Sequence, residues 1–354
     1  MDGVDAALVD MDTHRCLAGI TRPYGAEARQ FLNDVLNGQS LGLGTLSQLS
    51  TVLGREFALS VQQLLDTAEC SAQDVIAIGS HGQTLCHDAS AAIPYTVQLG
   101  CPHTIAEMTG IPVVADFRTR DLVLGGQGAP FAPLIHQVLF QHREAPMAVI
   151  NIGGIANITF LDDSTSAKGY DVGPGNCLMD AFIQMTLNQP YDDEGAWASR
   201  GVVIEPLLAA LLSDPFFQLR APKSIGKEYF SIEWLLSHVQ STHRPEDIQA
   251  TLLELTARTL VREVERHAIR PISVVLCGGG VHNRALHRAF QHHMGETPVL
   301  SSAHFGLDPD YIEALLFAWL ADKALQGTAL DLQTLTGARK PSVLGVIYLI
   351  KDPV

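Results

Sequence analysis

Runs of Val and Ile that stop abruptly at glycine limit most what this chain can fold into. "DVIAIGSHG", "IPVVADF", "MAVINIGGIANITFL" and "ISVVLCGGG" read as strands, and stretches of helical period lie between them. Apolar character that is continuous rather than alternating belongs to strands covered on both faces. Strands that alternate with helices make an α/β protein. The clearest helix is predicted in "EDIQATLLELTARTLVREVERH", with Leu253, Ala257, Leu260 and Val264 on one face and Arg262, Glu263 and Arg266 off it. "DYIEALLFAWLADKAL" is apolar nearly all round in its first half, which predicts a helix buried between layers and makes Glu313 conspicuous.

At 354 residues the chain exceeds the size at which a single core keeps growing, so two domains built by an interleaved chain are expected. The polar or turn-rich stretches "QHREAPM" and "QGTALDLQT" place the junctions, giving residues 1–143 plus 327–354 as domain I and 144–326 as domain II. A composition of 47% hydrophobic and 17% charged residues excludes disorder, and no apolar run reaches the ~18 residues that span a bilayer. The formal charge of -15 disfavours nucleic acid and anionic membrane, which bind through clustered Lys and Arg, and leaves small molecules or proteins as partners. Cys16, Cys70, Cys86, Cys101, Cys177 and Cys277 show no C-x-x-C spacing and predict buried free thiols in a reducing compartment. With no signal-peptide pattern at the start, the cytoplasm is expected.

Glycine-rich stretches follow or bridge the predicted strands at "GSHGQT", "NIGGIAN", "VGPGN" and "CGGGVHN". Glycine lets backbone N–H groups approach phosphate oxygens closely. One such turn is an ordinary tight connection; four in an α/β chain favour a nucleotide. The chain has no G-x-x-x-x-G-K-[ST], and "CGGGVHN" fails G-x-G-x-x-G at its last position, so neither a P-loop nor a dinucleotide fold is supported.

In "YDVGPGNCLMDAF" the glycines break a strand, Asn176 is placed to cap the next helix, and Asp180 falls four residues on. Asp180 is either a catalytic carboxylate beside a phosphate-sized loop or a complement to the helix dipole. "VADFRTRDLVLGGQGAP" sets Asp116, Arg118, Arg120 and Asp121 just past a strand. Two arginines one residue apart suit an acidic substrate, and a solvated ion-pair cluster is the plain alternative. The histidines show no metal-ligand spacing, and His81 alone sits in a suspect loop. At the start, Asp2-Gly3 signals a tight turn and Val4 to Val9 a strand, which together read as the second arm of a hairpin.

The ordered set "DGVDAAL", "AIGSHGQTLCH", "YTVQLG", "DFRTRDLVLGGQGAP", "NIGGIAN", "YDVGPGNCLMDA", "DIQATLLELTA", "VLCGGGVHN" and "EALLFAWLA" resembles the anhydro-N-acetylmuramic acid kinase family, from residue 1 to the closing "TGARKPSVLG". The resemblance implies two RNase H-like (actin-like ATPase) α/β domains around a central cleft, with sugar on domain I and ATP on domain II. It implies a kinase that uses ATP, Mg2+ and water to open 1,6-anhydro-N-acetylmuramic acid and phosphorylate it during cell-wall recycling. It also suggests a homodimer. Asp180 matches the family's catalytic base; Arg118, Arg120, Glu313, His81, Gln83 and Thr96 fall in its sugar-binding segments. Asp2, Gly3, Asn151, Gly153, Gly154, Asn157, Gly173, Gly175, Asn176, Gly278, Gly279, Gly280 and Asn283 fall in its ATP-binding segments.

Two departures stand out. Where the family carries three consecutive arginines this chain reads Arg118-Thr119-Arg120. The family also places a strand and an "SGTS" loop directly before x-D-G-V-D, so a first strand of ~5 to 6 residues is expected upstream of Asp2. A chain without it is expected to fold and to phosphorylate poorly. The competing readings are a catalytically weak sugar- or nucleotide-binding relative and an actin-like ATPase acting on proteins; the second leaves Arg118, Arg120 and Glu313 without a purpose.

Overall fold

The computed structural model describes residues 3–36, 42–141, 143, 145–162, 168–221, 223–226 and 229–350. They form two compact units, Met1–Phe131 with Tyr311–Val354, and Ala132–Asp310. Unit 1 opens with an antiparallel hairpin, β1 (Gly3–Asp10) and β2 (Arg15–Pro23), then α1 (Ala26–Leu36), α2 (Leu43–Thr67) and β3 (Ile78–Gly79). A second hairpin, β4 (Gln83–Asp88) and β5 (Tyr95–Leu99), leads to α3 (Pro102–Thr109), β6 (Val113–Ala115) and α4 (Thr119–Val123).

Unit 2 begins at α5 (Ala132–Phe140) and runs through β7 (Met147–Ile152), β8 (Ile155–Leu161), β9 (Lys168–Pro174), α6 (Cys177–Leu187) and α7 (Glu205–Leu212). It continues through α8 (Ile232–Leu236), α9 (Pro245–Arg266), β10 (Ser273–Cys277), α10 (Arg284–Met294) and β11 (Val299–Ser301). The chain then returns to unit 1 for α11 (Ile312–Leu325) and β12 (Val346–Tyr348).

The sheet of unit 2 has the order β11-β10-β7-β8-β9, with β10 parallel to β7 and β11, and β8 antiparallel to both β7 and β9. Numbered within the unit this is 3-2-1-4-5 with the second strand reversed, the RNase H-like arrangement. Central β7 carries the unbroken apolar run because both its faces are covered: Ala148, Val149, Ile150 and Ile152 are fully buried. Helix α9 packs Leu253, Leu260 and Val264 into the same core. Glu263 departs from the expectation that it would lie off the apolar face. It is buried, accepting from Lys223 Nζ at 3.1 Å, Tyr170 Oη at 3.2 Å and Arg266 Nη1 at 2.8 Å.

Unit 1 has β1 paired with β2, the order β12-β6-β3, and the separate β4–β5 hairpin. The succession of β1, β2, β3 and β6 follows that of β8, β9, β10 and β11, with helices before the third strand in each case. No described strand of unit 1 takes the place that β7 holds in unit 2. The junctions fall earlier in the chain than 143/144 and 326/327. Helix α5 packs on β8 and β9 and so belongs to unit 2, while α11 packs on β1, β3, β6 and β12 and so belongs to unit 1. Helix α11 buries Ile312, Leu315, Leu316, Phe317, Trp319 and Leu320, in keeping with its all-round apolar character. Among the described residues no helix is long and apolar enough to cross a membrane.

Candidate active site

In unit 2 three glycine turns meet at one end of the sheet. The β7–β8 turn offers the carbonyls of Gly153 and Gly154, and the amides at the head of α6 take them: Asn176 N donates to Gly153 O at 2.8 Å, Gly175 N and Cys177 N to Gly154 O at 2.9 and 3.1 Å. These three amides therefore hold the neighbouring turn instead of pointing at an outside anion. A side chain at Gly175 would place Cβ 2.3 Å from Gly153 O, which makes glycine obligatory there. Asn176 occupies the N-cap position but its side chain does not cap; Nδ2 donates to Ile152 O at 3.5 Å.

The third turn, Gly278 to Gly280, leans on the first. A Cβ at Gly278 would fall 2.4 Å from Asn151 Oδ1, and one at Gly280 2.3 Å from Ile152 Cγ2. Gly279 between them would meet no protein atom within 4 Å, so the open crest of the site is at this residue. Asn283 caps α10, accepting from Leu286 N at 2.9 Å. Gly173 lies in β9 with φ 152, and a Cβ there would fall 2.7 Å from Cε1 of the Phe217 ring. Asn151 and Asn157 face each other across β7 and β8, and Asn157 Oδ1 is buried with no hydrogen-bond partner among the described residues.

Asp180 stands in the first turn of α6, half-buried, its amide bonded to Asn176 O at 2.8 Å. Two residues of α9 that the sequence pattern did not single out hold this end of the unit. Thr256 Oγ1 lies 2.9 Å from Gly175 O and 3.2 Å from Pro174 O, and Gln249 Nε2 donates to Met179 O at 3.4 Å. Both are buried polar residues of α9, as are Thr251, Thr259 and Glu263, and polar residues recurring among its apolar ones are the signal by which they could have been found.

Unit 1 brings together another part of the expected set. Arg118 Nε donates to His81 Nε2 at 3.0 Å and Nη1 to Gly128 O at 2.6 Å, with the guanidinium over the Phe131 ring. His81 stacks on Phe317 at 4.4 Å, and burial, with Arg118 second, holds its imidazole well below 6.5. Neutral His81 accepts at Nε2 and so carries its proton on Nδ1. Thr96 Oγ1 lies 3.1 Å from His87 Nδ1 and accepts from Gln98 Nε2 at 2.7 Å. A Cβ at Gly128 would sit 3.1 Å from His87 Cε1 and 3.6 Å from Arg118 Cβ, so the β4–β5 hairpin lies against the arginine. Gln83 Oε1 accepts from Tyr24 Oη at 3.2 Å, and burial, aided by Asp5 and Glu56, pushes that phenol up to about 12.

Three expected residues stand differently. Arg120 is exposed: α4 starts at Thr119, so a spacing of two turns the side chains roughly 200° apart instead of pairing them. Glu313 is exposed in the first turn of α11, between buried Ile312 and Leu315, where it complements the helix dipole. Asp2 lies outside the described residues, and Gly3 opens β1 against Arg22 O. Among the described residues no group of three or more His, Cys, Asp or Glu side chains could hold a metal. The unpartnered Asn157 Oδ1 and the carboxylate of Asp180 are hard oxygen donors, which fit a Mg2+ ion held mainly by phosphates and water.

The family model "Anhydro-N-acetylmuramic acid kinase" matches residues 1–350. A protein of that name from Legionella pneumophila (strain Corby) is 50% identical over 350 residues, 99% of this chain and 96% of its own. One from Coxiella burnetii (strain Dugway 5J108-111) is 42% identical over 351 residues, 98% of this chain and 94% of its own. Among solved structures, the (R)-2-hydroxyglutaryl-CoA dehydratase component A of Acidaminococcus fermentans aligns loosely, with TM-score 0.47 and 14% identity over 90% of this chain and 93% of that one. The alternative of a catalytically weak binding relative gains no support from these matches. The chain belongs to the anhydro-N-acetylmuramic acid kinase family, whose members are kinases and use ATP.

Proposed function

We propose that this protein uses ATP and water to convert 1,6-anhydro-N-acetylmuramic acid into N-acetylmuramate 6-phosphate and ADP, a cytoplasmic step in recycling cell-wall sugar. The observation that carries this reading is the convergence of the three glycine turns of unit 2 beside the helix bearing Asp180, in a chain matched to this family over residues 1–350. Asp180 takes a proton from water as the water oxygen bonds to the anomeric carbon. The bond from that carbon to O6 breaks, its electron pair stays on O6, and O6 accepts the γ-phosphoryl group of ATP. A carboxylate is a strong enough base because the anomeric centre becomes cation-like as the bridge opens.

Unit 2 serves the nucleotide. The crest at Gly279 offers close backbone approach, and Asn151 with Asn157 supplies polar groups beneath the phosphates. Mg2+, when bound, neutralises charge on the transferring phosphates; Asn157 Oδ1 and Asp180 are the residues suited to its water shell. Unit 1 serves the sugar, with Arg118 for the lactyl carboxylate and the Thr96 side of the β4–β5 hairpin for hydroxyls. The test is ADP release with Mg2+ and ATP, in the presence and absence of the anhydro sugar. Sugar-dependent release is expected. Equal release without sugar, or none with it, overturns the reading.

A further inference from the structure

Asp121 is a fully buried carboxylate that the reaction above does not use. It stands in α4, and the turn from Gly125 to Gly128 wraps around it: Gly128 N donates to Oδ2 at 2.6 Å, and a Cβ at Gly126 would fall 2.3 Å from the same oxygen. Oδ1 accepts from Thr336 Oγ1 at 2.7 Å, which ties in the segment after α11. Gly125 and Gly128 have φ of 84 and 68, so the turn needs left-handed backbone at both ends and an anchor between them. Burial raises this carboxyl, against the pull of Thr336, Gly128 and Arg118. Desolvating a carboxylate is costly, and pinning a turn does not require one. What the turn presents on its other side is Gly128 O, which accepts from Arg118 Nη1 at 2.6 Å, while Arg118 Nε reaches His81 on its stack with Phe317.

We propose that Asp121 is a positioning residue for Arg118: it fixes Gly128, Gly128 O and His81 fix two edges of the guanidinium, and the fixed guanidinium sets the affinity of unit 1 for an anionic sugar. The proposal rests on the sugar-kinase reading for its ligand. It does not rest on it for the mechanical link, which is present without substrate. A preorganised arginine binds a carboxylate without the entropy loss of ordering its own side chain, so loosening it weakens binding more than chemistry.

The experiment uses the full chain carrying Asp121→Asn, Arg118→Gln, or both. Asp121→Asn should raise KM for 1,6-anhydro-N-acetylmuramic acid about tenfold with kcat within about twofold of wild type, and should add nothing once Arg118→Gln is present. A fall in kcat at unchanged KM, or losses that multiply in the double variant, overturns the proposal. Ring 15N spectra of His81 give a readout that needs no sugar: the wild type should show an acceptor Nε2, and Asp121→Asn should shift it. If the wild type turns over no sugar, the functional reading fails, and an unshifted His81 then decides against the link as well. Should Asp121→Asn not fold, Thr336→Val removes one of the two anchors. It should shift the same His81 signal and raise KM about threefold; no change in either overturns the link.

Discussion

Replacing Gly279 by Ala separates the nucleotide reading from a purely architectural one. The new methyl group meets no protein atom within 4 Å, and Gly279 is not among the glycines with left-handed backbone. The unliganded protein should therefore tolerate it, or gain up to ~1 kcal/mol from the stiffer unfolded chain. If a phosphate packs on this crest, the methyl holds it off and weakens one charge-assisted backbone hydrogen bond. Such a bond contributes about 1.5–3 kcal/mol, so the Kd for ATP should rise roughly 10- to 150-fold. Gly280→Ala is the contrast, because its Cβ would lie 2.3 Å from Ile152 Cγ2 in the core beneath β7. Overpacking there should cost about 1–3 kcal/mol whether or not nucleotide is present. Titration calorimetry with ATP and urea unfolding read the two quantities. A Gly279→Ala protein that binds ATP as tightly as wild type would refute the placement of the phosphates over this turn.

Three other outcomes follow from the geometry. On the proposed mechanism Asp180→Asn should lower kcat by about 10²- to 10⁴-fold and change the Kd for ATP far less, since it removes the base and touches the phosphates only through the water shell of Mg2+; steady-state rates and calorimetry check it. Glu263→Gln should cost about 3 kcal/mol in urea unfolding of unit 2, because Lys223, with 2% of its side chain exposed, is left as a buried cation facing a neutral partner; a loss below ~1 kcal/mol would contradict this. His136, whose Nδ1 is 2.8 Å from Thr159 Oγ1, is pushed by burial from 6.5 to about 3. Above pH ~6.5 both folded and unfolded states hold it neutral. Below that the unfolded chain takes up a proton the folded one refuses until about pH 3, so stability falls by about 1.4 kcal/mol per pH unit over that window. Urea midpoints of wild type and His136→Gln should diverge across this range, the wild type becoming relatively weaker as the pH drops.

What the sequence made legible depended on how local each cause was. The strands β7 and β10 were readable because burial on both faces leaves a nearly unbroken apolar run, and the turn at Gly278 because its positive φ and crowded surroundings leave no room for a side chain. Arg118 and Arg120 were paired because two neighbouring guanidinium groups suit one acidic substrate; spacing along the sequence could not reveal that α4 starts at Thr119 and turns the two side chains apart. The role of Asn176 as a cap failed for a tertiary reason, since Ile152 O competes for its amide. Glu263 and Asp121 were beyond reach altogether. Their partners lie 40 residues away at Lys223 and 215 residues away at Thr336, and no periodicity in a local window encodes either pairing.

The shared strand succession of the two units shows the same limit from the other side. No short repeat is visible in the sequence, yet β1, β2, β3 and β6 follow the order of β8, β9, β10 and β11. Such a succession demands only buried apolar strands and short turns, which many unrelated side chains satisfy. Residue identity is constrained more tightly where a side chain has no room. At the end of β7 a Cβ at Gly175 would fall 2.3 Å from Gly153 O, and one at Gly278 or Gly280 would meet the Asn151 or Ile152 side chain within 2.4 Å. Among the described residues unit 1 has no strand in the place of β7, and its polar cluster is built from the β4–β5 hairpin and Arg118 instead. The proposed division, nucleotide on unit 2 and sugar on unit 1, draws on this difference between packed glycine turns in the one and a cluster of polar side chains in the other.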